Sequence, residues 1–273
     1  MWFGRPSFPI YESMINFTGA KAVPIQLYEE NGFRFETDEL RAKITPHTKL
    51  IIINSPHNPT GSVLEEDDIL AIADITHEHD ITVLSDEIYE HFVYGGKHYS
   101  VTSLPDMLDR TILINGFSKS YAMTGWRLGY AVVPPGLVDP IVRLIINSVS
   151  CTAPFIQYAG IKALTGPQDS LFQMVGEFRR RRDLIVDGLN TIPSISCFRP
   201  NGAFYVFPNV TKLGVNCQQL ADHLLNEARV ATLAGSGFGN CGEGYIRLSY
   251  ANSLENIEEA LERKKAAVIK IVG

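Results

Sequence analysis

Short apolar runs rich in β-branched residues punctuate the first part of this chain: Lys49 to Asn54, Ile81 to Leu84, Thr111 to Ile114 and Leu128 to Val133. Between the first two lies Glu65 to Asp80. Its acidic first turn suits the positive end of a helix dipole, and Ile69, Ile72, Ala73 and Thr76 form one helical stripe. Pro135 opens a further helix that runs to Asn147. Continuous apolar runs alternating with amphipathic helices restrict the fold to the α/β class, a mostly parallel sheet sandwiched by helices and covered on both faces. In such sheets ligands sit outside the carboxyl ends of the strands.

After about residue 170 the pattern changes. Ser170 to Asn190 reads as one long helix. Short strands at Ala203 to Phe207 and Tyr245 to Ser249 then mix with helices at Gln218 to Arg229 and Leu254 to Ile271. The expected organisation is a large α/β domain over residues 1–170 and a smaller α+β domain over 171–273, with the long helix as connector. There is no internal repeat and no low-complexity segment.

A net charge of −6 and a pI near 5.7 argue against a nucleic-acid or anionic-membrane partner. Cys151, Cys197, Cys217 and Cys241 are scattered, with no Cys-x-x-Cys spacing, and read as reduced thiols of a cytoplasmic protein. The start, Met1-Trp2-Phe3-Gly4-Arg5-Pro6, lacks the basic and apolar regions of a signal peptide. No apolar run reaches the roughly 18 residues of a membrane span.

The chemistry concentrates on the loop Asn115 to Tyr130, between two strand-like runs. Lys119 and Arg127 both lie on it. A lone lysine is ordinarily a solvated surface charge. Here Ser118 and Ser120 flank it between buried strands, so partial desolvation and the nearby Arg127 both disfavour the protonated amine. A neutral amine can attack an aldehyde to form an imine, and a neighbouring guanidinium can hold a phosphate.

Asp86 closes the run Ile81-Thr82-Val83-Leu84-Ser85, and Tyr89 follows three residues on. Alone they read as a turn residue and a core aromatic. Beside a pyridine ring, the carboxylate would hold the ring nitrogen protonated and the phenol could reach a ring oxygen. In Asn54-Ser55-Pro56-His57-Asn58-Pro59-Thr60-Gly61 two prolines stiffen a turn that Gly61 lets reverse tightly, which fixes the Asn58 amide. Arg247, in Gly244-Tyr245-Ile246-Arg247-Leu248-Ser249, is either an outward-facing charge on a short strand or a fork for a carboxylate.

Weaker signals carry less. Gly235-Ser236-Gly237-Phe238-Gly239 lacks the lysine or helix start of a phosphate cradle. His77-Glu78-His79-Asp80 sits at a helix end with its side chains diverging, so no metal site is expected there. Arg179 to Arg182 spreads its charge around every face of a helix, and no nucleic-acid stripe results.

Taken together the chain resembles the class I/II aminotransferases, the fold-type I pyridoxal phosphate-dependent family. The Asn-Pro-x-Gly turn, the Asp-x-x-Tyr after a strand, the Ser-Lys…Gly-x-Arg loop and the late Arg-Leu-Ser segment stand in family order along essentially the whole chain. The resemblance implies an enzyme that moves an amino group between an L-amino acid and a 2-oxo acid, with pyridoxal 5'-phosphate held as a Lys119 Schiff base. It further implies Asp86 on the ring nitrogen, Tyr89 and Asn58 on the ring oxygen, Ser118 and Arg127 on the phosphate, and Phe8 stacked on the ring. Arg247 would receive the substrate carboxylate, and Asn58 would also contact the substrate. A cytoplasmic homodimer is the implied assembly. Two departures accompany the match. Gly116 replaces the phosphate-binding hydroxyl of many members, and the family's N-terminal arm and Gly-rich phosphate loop have no counterpart before Met1. A lyase or synthase on the same scaffold, or a truncated non-catalytic fragment, are the alternatives that these residues leave standing.

Overall fold

The computed structural model describes residues 1–272. Its larger sheet contains β1 (Trp2–Arg5), β2 (Val23–Gln26), β3 (Leu50–Asn54), β4 (Thr82–Asp86), β5 (Thr111–Gly116) and β6 (Gly129–Val132), in the spatial order β2-β1-β3-β4-β5-β6. All neighbours pair in parallel except β6, which runs antiparallel to β5. The loop from β5 to β6 carries no crossover helix, so the chain returns beside the strand it has just left. β2 contains Pro24 and lies at the sheet edge, where a missing backbone N–H leaves no ladder bond unmade.

Alternation along the strands builds two apolar layers. Ile51, Ile53 and Val83 join Trp2, Ile69, Ile72 and Ile75 in one core, whereas Ile52 packs with Phe3, Tyr11 and Ile15 in another. The first layer is closed by α2 (Thr37–Lys43) and α3 (Glu66–His79), the second by α1 (Ile10–Phe17). Complete burial of Ile51, Ile72 and Ile75 contributes roughly 1.5–3 kcal/mol each. α3 starts in a reciprocal capping box between Glu65 and Asp68 and stops at Asp80, whose φ of 50° is left-handed.

One expectation fails at the far end of this sheet. All four residues of β6 are exposed, and among the described residues α4 (Pro135–Ser148) buries none of its own. The sheet is therefore covered on both faces around β1, β3 and β4 but not at β6. α5 (Pro154–Thr165) is mostly exposed too, burying only Gly160.

The C-terminal part begins with α6 (Asp169–Leu189) and contains β7 (Tyr205–Val206), α7 (Cys217–Ala228), β8 (Leu233–Ala234), β9 (Ile246–Ser249) and α8 (Leu254–Val272). The three strands form an antiparallel sheet ordered β7-β9-β8. Its core includes Phe178, Val186, Leu220, Leu224, Ile246 and Val268, and it reaches Tyr89, Phe92 and Tyr94 of the preceding part. The basic run at 179–182 is locally neutralised. Arg180 and Arg181 pair with Glu177, and buried Arg182 donates to Asp183 and to the Pro200 carbonyl.

Candidate active site

The parallel register sets the floor of the site. Asn54 and Asp86 are level neighbours at the carboxyl ends of β3 and β4, and Asp86 is level with Ile114 on β5. Side chains that leave these strand ends therefore converge in one place. There a cavity of about 370 Å³ is lined by Phe8, Asn58, Asp86, Tyr89, Lys119 and Arg247, together with Tyr11, Asn54 and Tyr205. Six of the residues named from the sequence thus share one wall. Ser118 and Arg127 are not part of it. Arg127 is exposed, holds a left-handed φ of 54°, and donates from Nη1 to the Thr124 carbonyl at 2.9 Å.

Asp86 is held from several sides. The Tyr11 hydroxyl donates to its Oδ2 at 2.5 Å, and the Ile88 amide donates to Oδ1 at 3.2 Å. Burial pushes the carboxyl pKa up, and these two hydrogen bonds and the charge of Lys119 oppose that rise. Asn54 fixes the same corner. Its Nδ2 donates to the Asp86 carbonyl at 3.0 Å, while its Oδ1 accepts from the Asn58 amide at 3.0 Å. The next residue, buried Glu87, accepts from Ser85, Ser100 and His98, each at 2.8 Å. Glu87, Glu90 and His98 bring metal-ligating atoms within 4.8 Å of one another. Glu90 in turn accepts from Asn115, so the group reads as an internal hydrogen-bond network.

Lys119 follows β5 by three residues and is partly buried. Its Nζ lies 5.7 Å from the Tyr89 ring centre and 5.6 Å from that of Phe204. Desolvation lowers its pKa first, then the charge of Arg247, then that of Arg127, while Asp86 pulls the other way. The direction expected from the sequence holds, but Arg247 outweighs Arg127 as the cationic neighbour.

Arg247 resolves the choice left open by its sequence: it faces inward. Its guanidinium lies 4.5 Å from the Tyr205 ring centre and 4.7 Å from that of Phe238, and its Nη1 donates to Asn58 Oδ1 at 2.8 Å. The weak glycine-rich segment thus contributes an aromatic wall through buried Phe238, not a phosphate cradle. The Tyr89 hydroxyl meets that of Tyr205 at 2.9 Å. Gly116 is explained by packing. It lies level with Gly129 on β6, and a Cβ there would come within 3.0 Å of the Gly129 Cα.

Tyr11, Asn54 and Tyr205 are among the wall residues that the sequence did not single out. Tyr11 stands three positions after Phe8 at a helix start, a spacing that puts both rings on one side. That was the available signal. For Tyr205, in a two-residue strand, there was none.

The donor set fits pyridoxal 5'-phosphate. An amine of lowered pKa suits the aldehyde, a carboxylate of raised basicity suits a pyridine nitrogen, and the volume falls in the usual range for a small-molecule site.

The comparison with known proteins agrees. The chain matches the model of aminotransferase class I and II over residues 1–263. It is 45% identical over 261 residues to an aspartate aminotransferase of Pyrococcus abyssi, covering 94% of this chain and 67% of that protein. Identity to aromatic-amino-acid aminotransferase 2 of Thermococcus litoralis is 44% over 261 residues, with the same coverage of 94% and 67%. The crystal structure of an aromatic aminotransferase from Pyrococcus horikoshii superposes with a TM-score of 0.95 at 43% identity, over 98% of this chain and 73% of that one. The strand order, the convergent lysine, aspartate and arginine, and these relationships lead to one conclusion: the chain belongs to the class I and II aminotransferases, pyridoxal phosphate-dependent enzymes that exchange amino groups between amino acids and 2-oxo acids.

Proposed function

We propose that Lys119, Asp86, Tyr89 and Arg247 are the working residues of this transaminase, with Phe8, Asn58, Ser118 and Arg127 completing the cofactor site. One observation carries the reading: side chains from strand ends, a stiff turn and the C-terminal sheet meet at a single cavity. Pyridoxal phosphate, when bound, supplies an aldehyde that amines can condense with and a ring that accepts the electron pair left on a substrate α-carbon. Asp86 holds the ring nitrogen, its basicity raised by burial and its direction set by Tyr11. Asn58 and Tyr89 hold the ring oxygen, Phe8 covers a ring face, and Ser118 and Arg127 take the phosphate. Arg247 binds the substrate α-carboxylate through its fork, braced by Tyr205 and Phe238.

Lys119 Nζ is the proton carrier. Its lowered pKa keeps a larger share of neutral amine near neutral pH, so Nζ can take the proton from the substrate α-carbon and return it. The aromatic walls of Tyr89 and Tyr205 limit water around that transfer.

The large and small domains divide at about residue 170, a reading supported by a C-terminal core drawn mostly from residues after that point. The chain acts as a homodimer in the cytoplasm. Four free cysteines support that compartment, and no helix among the described residues is long and apolar enough to cross a membrane.

The test is trapping. Borohydride reduction of the cofactor-loaded protein followed by peptide mapping should place the label on Lys119. Lys119→Ala should lower kcat by about 10²–10⁴-fold with a panel of aspartate, aromatic and arginine donors. Label on another lysine, or full activity without Lys119, would end the proposal.

A further inference from the structure

Tyr205 stands between two groups of the amine-transfer cavity that act on different molecules. It lies on β7 opposite Ser249 of β9, so Arg247, two residues earlier on β9, is its diagonal neighbour on the same face. The guanidinium accordingly sits over the Tyr205 ring, 4.5 Å from its centre. At the far end of the side chain, the Tyr205 hydroxyl is 2.9 Å from that of Tyr89, and the two rings meet edge-on at 5.8 Å.

The backbone beside Tyr205 is held from several directions. Ala203 is fully buried with a left-handed φ of 54°. Its amide donates to the Phe92 carbonyl at 2.9 Å, and its carbonyl accepts from the hydroxyls of Tyr94 and Tyr250. A non-glycine residue in that conformation persists only where its surroundings over-determine it. Tyr205 is itself buried, so its hydroxyl is aimed by the fold.

Counting protons gives the hydroxyl pair a direction. Two phenols carry two protons and share one hydrogen bond, so one proton is left over. Asp86 from β4, Lys119 from the loop after β5, Tyr11 from α1 and Arg247 from β9 also face Tyr89, but among the described residues none of them hydrogen-bonds to its hydroxyl. Burial, and then Tyr205, push the Tyr89 phenol up, so it keeps its proton. Were Tyr89 to donate to Tyr205, an oxygen beside Tyr89 in the cavity would meet only lone pairs. With Tyr205 as donor, the spare proton is on Tyr89 and faces such an acceptor. A hydroxyl that already accepts one hydrogen bond is also the stronger donor in the next.

We propose that Tyr205 is a positioning residue with two handles: its hydroxyl donates to Tyr89 and frees the Tyr89 proton for the cofactor's ring oxygen, while its ring seats the Arg247 guanidinium for the substrate carboxylate. The inference rests on the roles proposed above for Tyr89 and Arg247.

The experiment uses cofactor-loaded enzyme and follows the visible absorbance of the bound cofactor against pH. A donor to the deprotonated ring oxygen lowers the midpoint, so losing it raises the midpoint. Tyr89→Phe should raise it by about 1–2 pH units, the worth of one hydrogen bond to a charged acceptor. Tyr205→Phe should raise it by roughly 0.1–0.6 unit, the cooperative share of that bond. In the double variant Tyr205→Phe should add nothing, because its effect passes through Tyr89. Tyr205→Phe keeps the ring and should leave the KM for alanine within about twofold, whereas Tyr205→Leu should raise it about 3–30-fold through loss of the cation–π contact. A midpoint that moves in Tyr89→Phe but not in Tyr205→Phe, or a full extra shift in the double variant, overturns the inference and leaves the role of Tyr89 standing. Equal KM values in Tyr205→Leu and wild type overturn the second handle. A midpoint that moves in neither single variant removes Tyr89 from the ring oxygen, and this inference with it.

Discussion

Asp86 is the residue whose surroundings say most about tuning. Its Oδ2 takes a 2.5 Å hydrogen bond from Tyr11, a side chain buried against Phe3 and Ile15. Tyr11→Phe removes that donor while keeping the ring. Cofactor retention in equilibrium dialysis should weaken about tenfold, the worth of one hydrogen bond to a charged group, with unchanged far-UV circular dichroism. Unaltered retention would show that the phenol only fills space. Lys119 offers a pH test. Below its lowered pKa, Nζ is protonated and inert; above it, the amine is neutral. The apoprotein should therefore label at Lys119 with a simple aldehyde along a curve that rises with pH and reaches half-maximum below 10.5, the ordinary lysine value. A midpoint at or above 10.5 would contradict the assigned environment. Charged residues such as Asp86, Lys119 and Arg247 were legible because a charge inside or beside an apolar run demands an explanation. Tyr11 was not, because a tyrosine near a helix start is ordinary core material until its hydroxyl partner, 75 residues away, is known.

The turn after β3 depends on a close approach. Gly61 has a left-handed φ of 71°, and a Cβ there would meet Pro200 and come within 2.9 Å of the Gly202 carbonyl oxygen and 3.0 Å of that of Tyr205. Its carbonyl accepts from the Gly202 amide at 2.8 Å, which ties the Asn58 turn to the C-terminal part. Gly61→Ala should cost on the order of 2–3 kcal/mol in urea unfolding, combining backbone strain with overpacking. Asn58 should shift with it, so the substrate KM rises as well. Wild-type stability and KM together would refute that role. Long periodic elements were readable within a residue or two: α3, α6, α7 and α8 occupy nearly the expected spans. The losses share a cause. β1 is only Trp-Phe-Gly-Arg and β2 contains a proline, so neither shows a strand pattern although β1 sits inside the sheet. The direction of β6 is set by what it pairs with, which no local periodicity encodes.

At the scale of the molecule, the apolar side chains left in solvent cluster on neighbouring stretches of sequence. Leu144 is 70% exposed, Phe155 69% and Tyr158 72%, with Val149 and Ile146 between them. Patches of this kind on a globular chain mark association surfaces. Sedimentation equilibrium should give twice the 30.3 kDa chain mass, and Leu144→Glu with Tyr158→Glu should return the protein to a single chain. A wild-type mass of one chain would remove the homodimer. The sequence carried the composition of this face but not its exposure, since α4 reads as an ordinary sheet-covering helix.

The bond from Arg247 to Asn58 joins positions 189 residues apart. On the proposed role of Arg247, the amide oxygen already occupies one arm of the guanidinium, so docking of an amino acid would exchange one oxygen for another instead of approaching a bare cation. Affinity for the acid would thereby be tempered, and release of the oxo acid product eased, by a neighbour that reclaims the vacated arm.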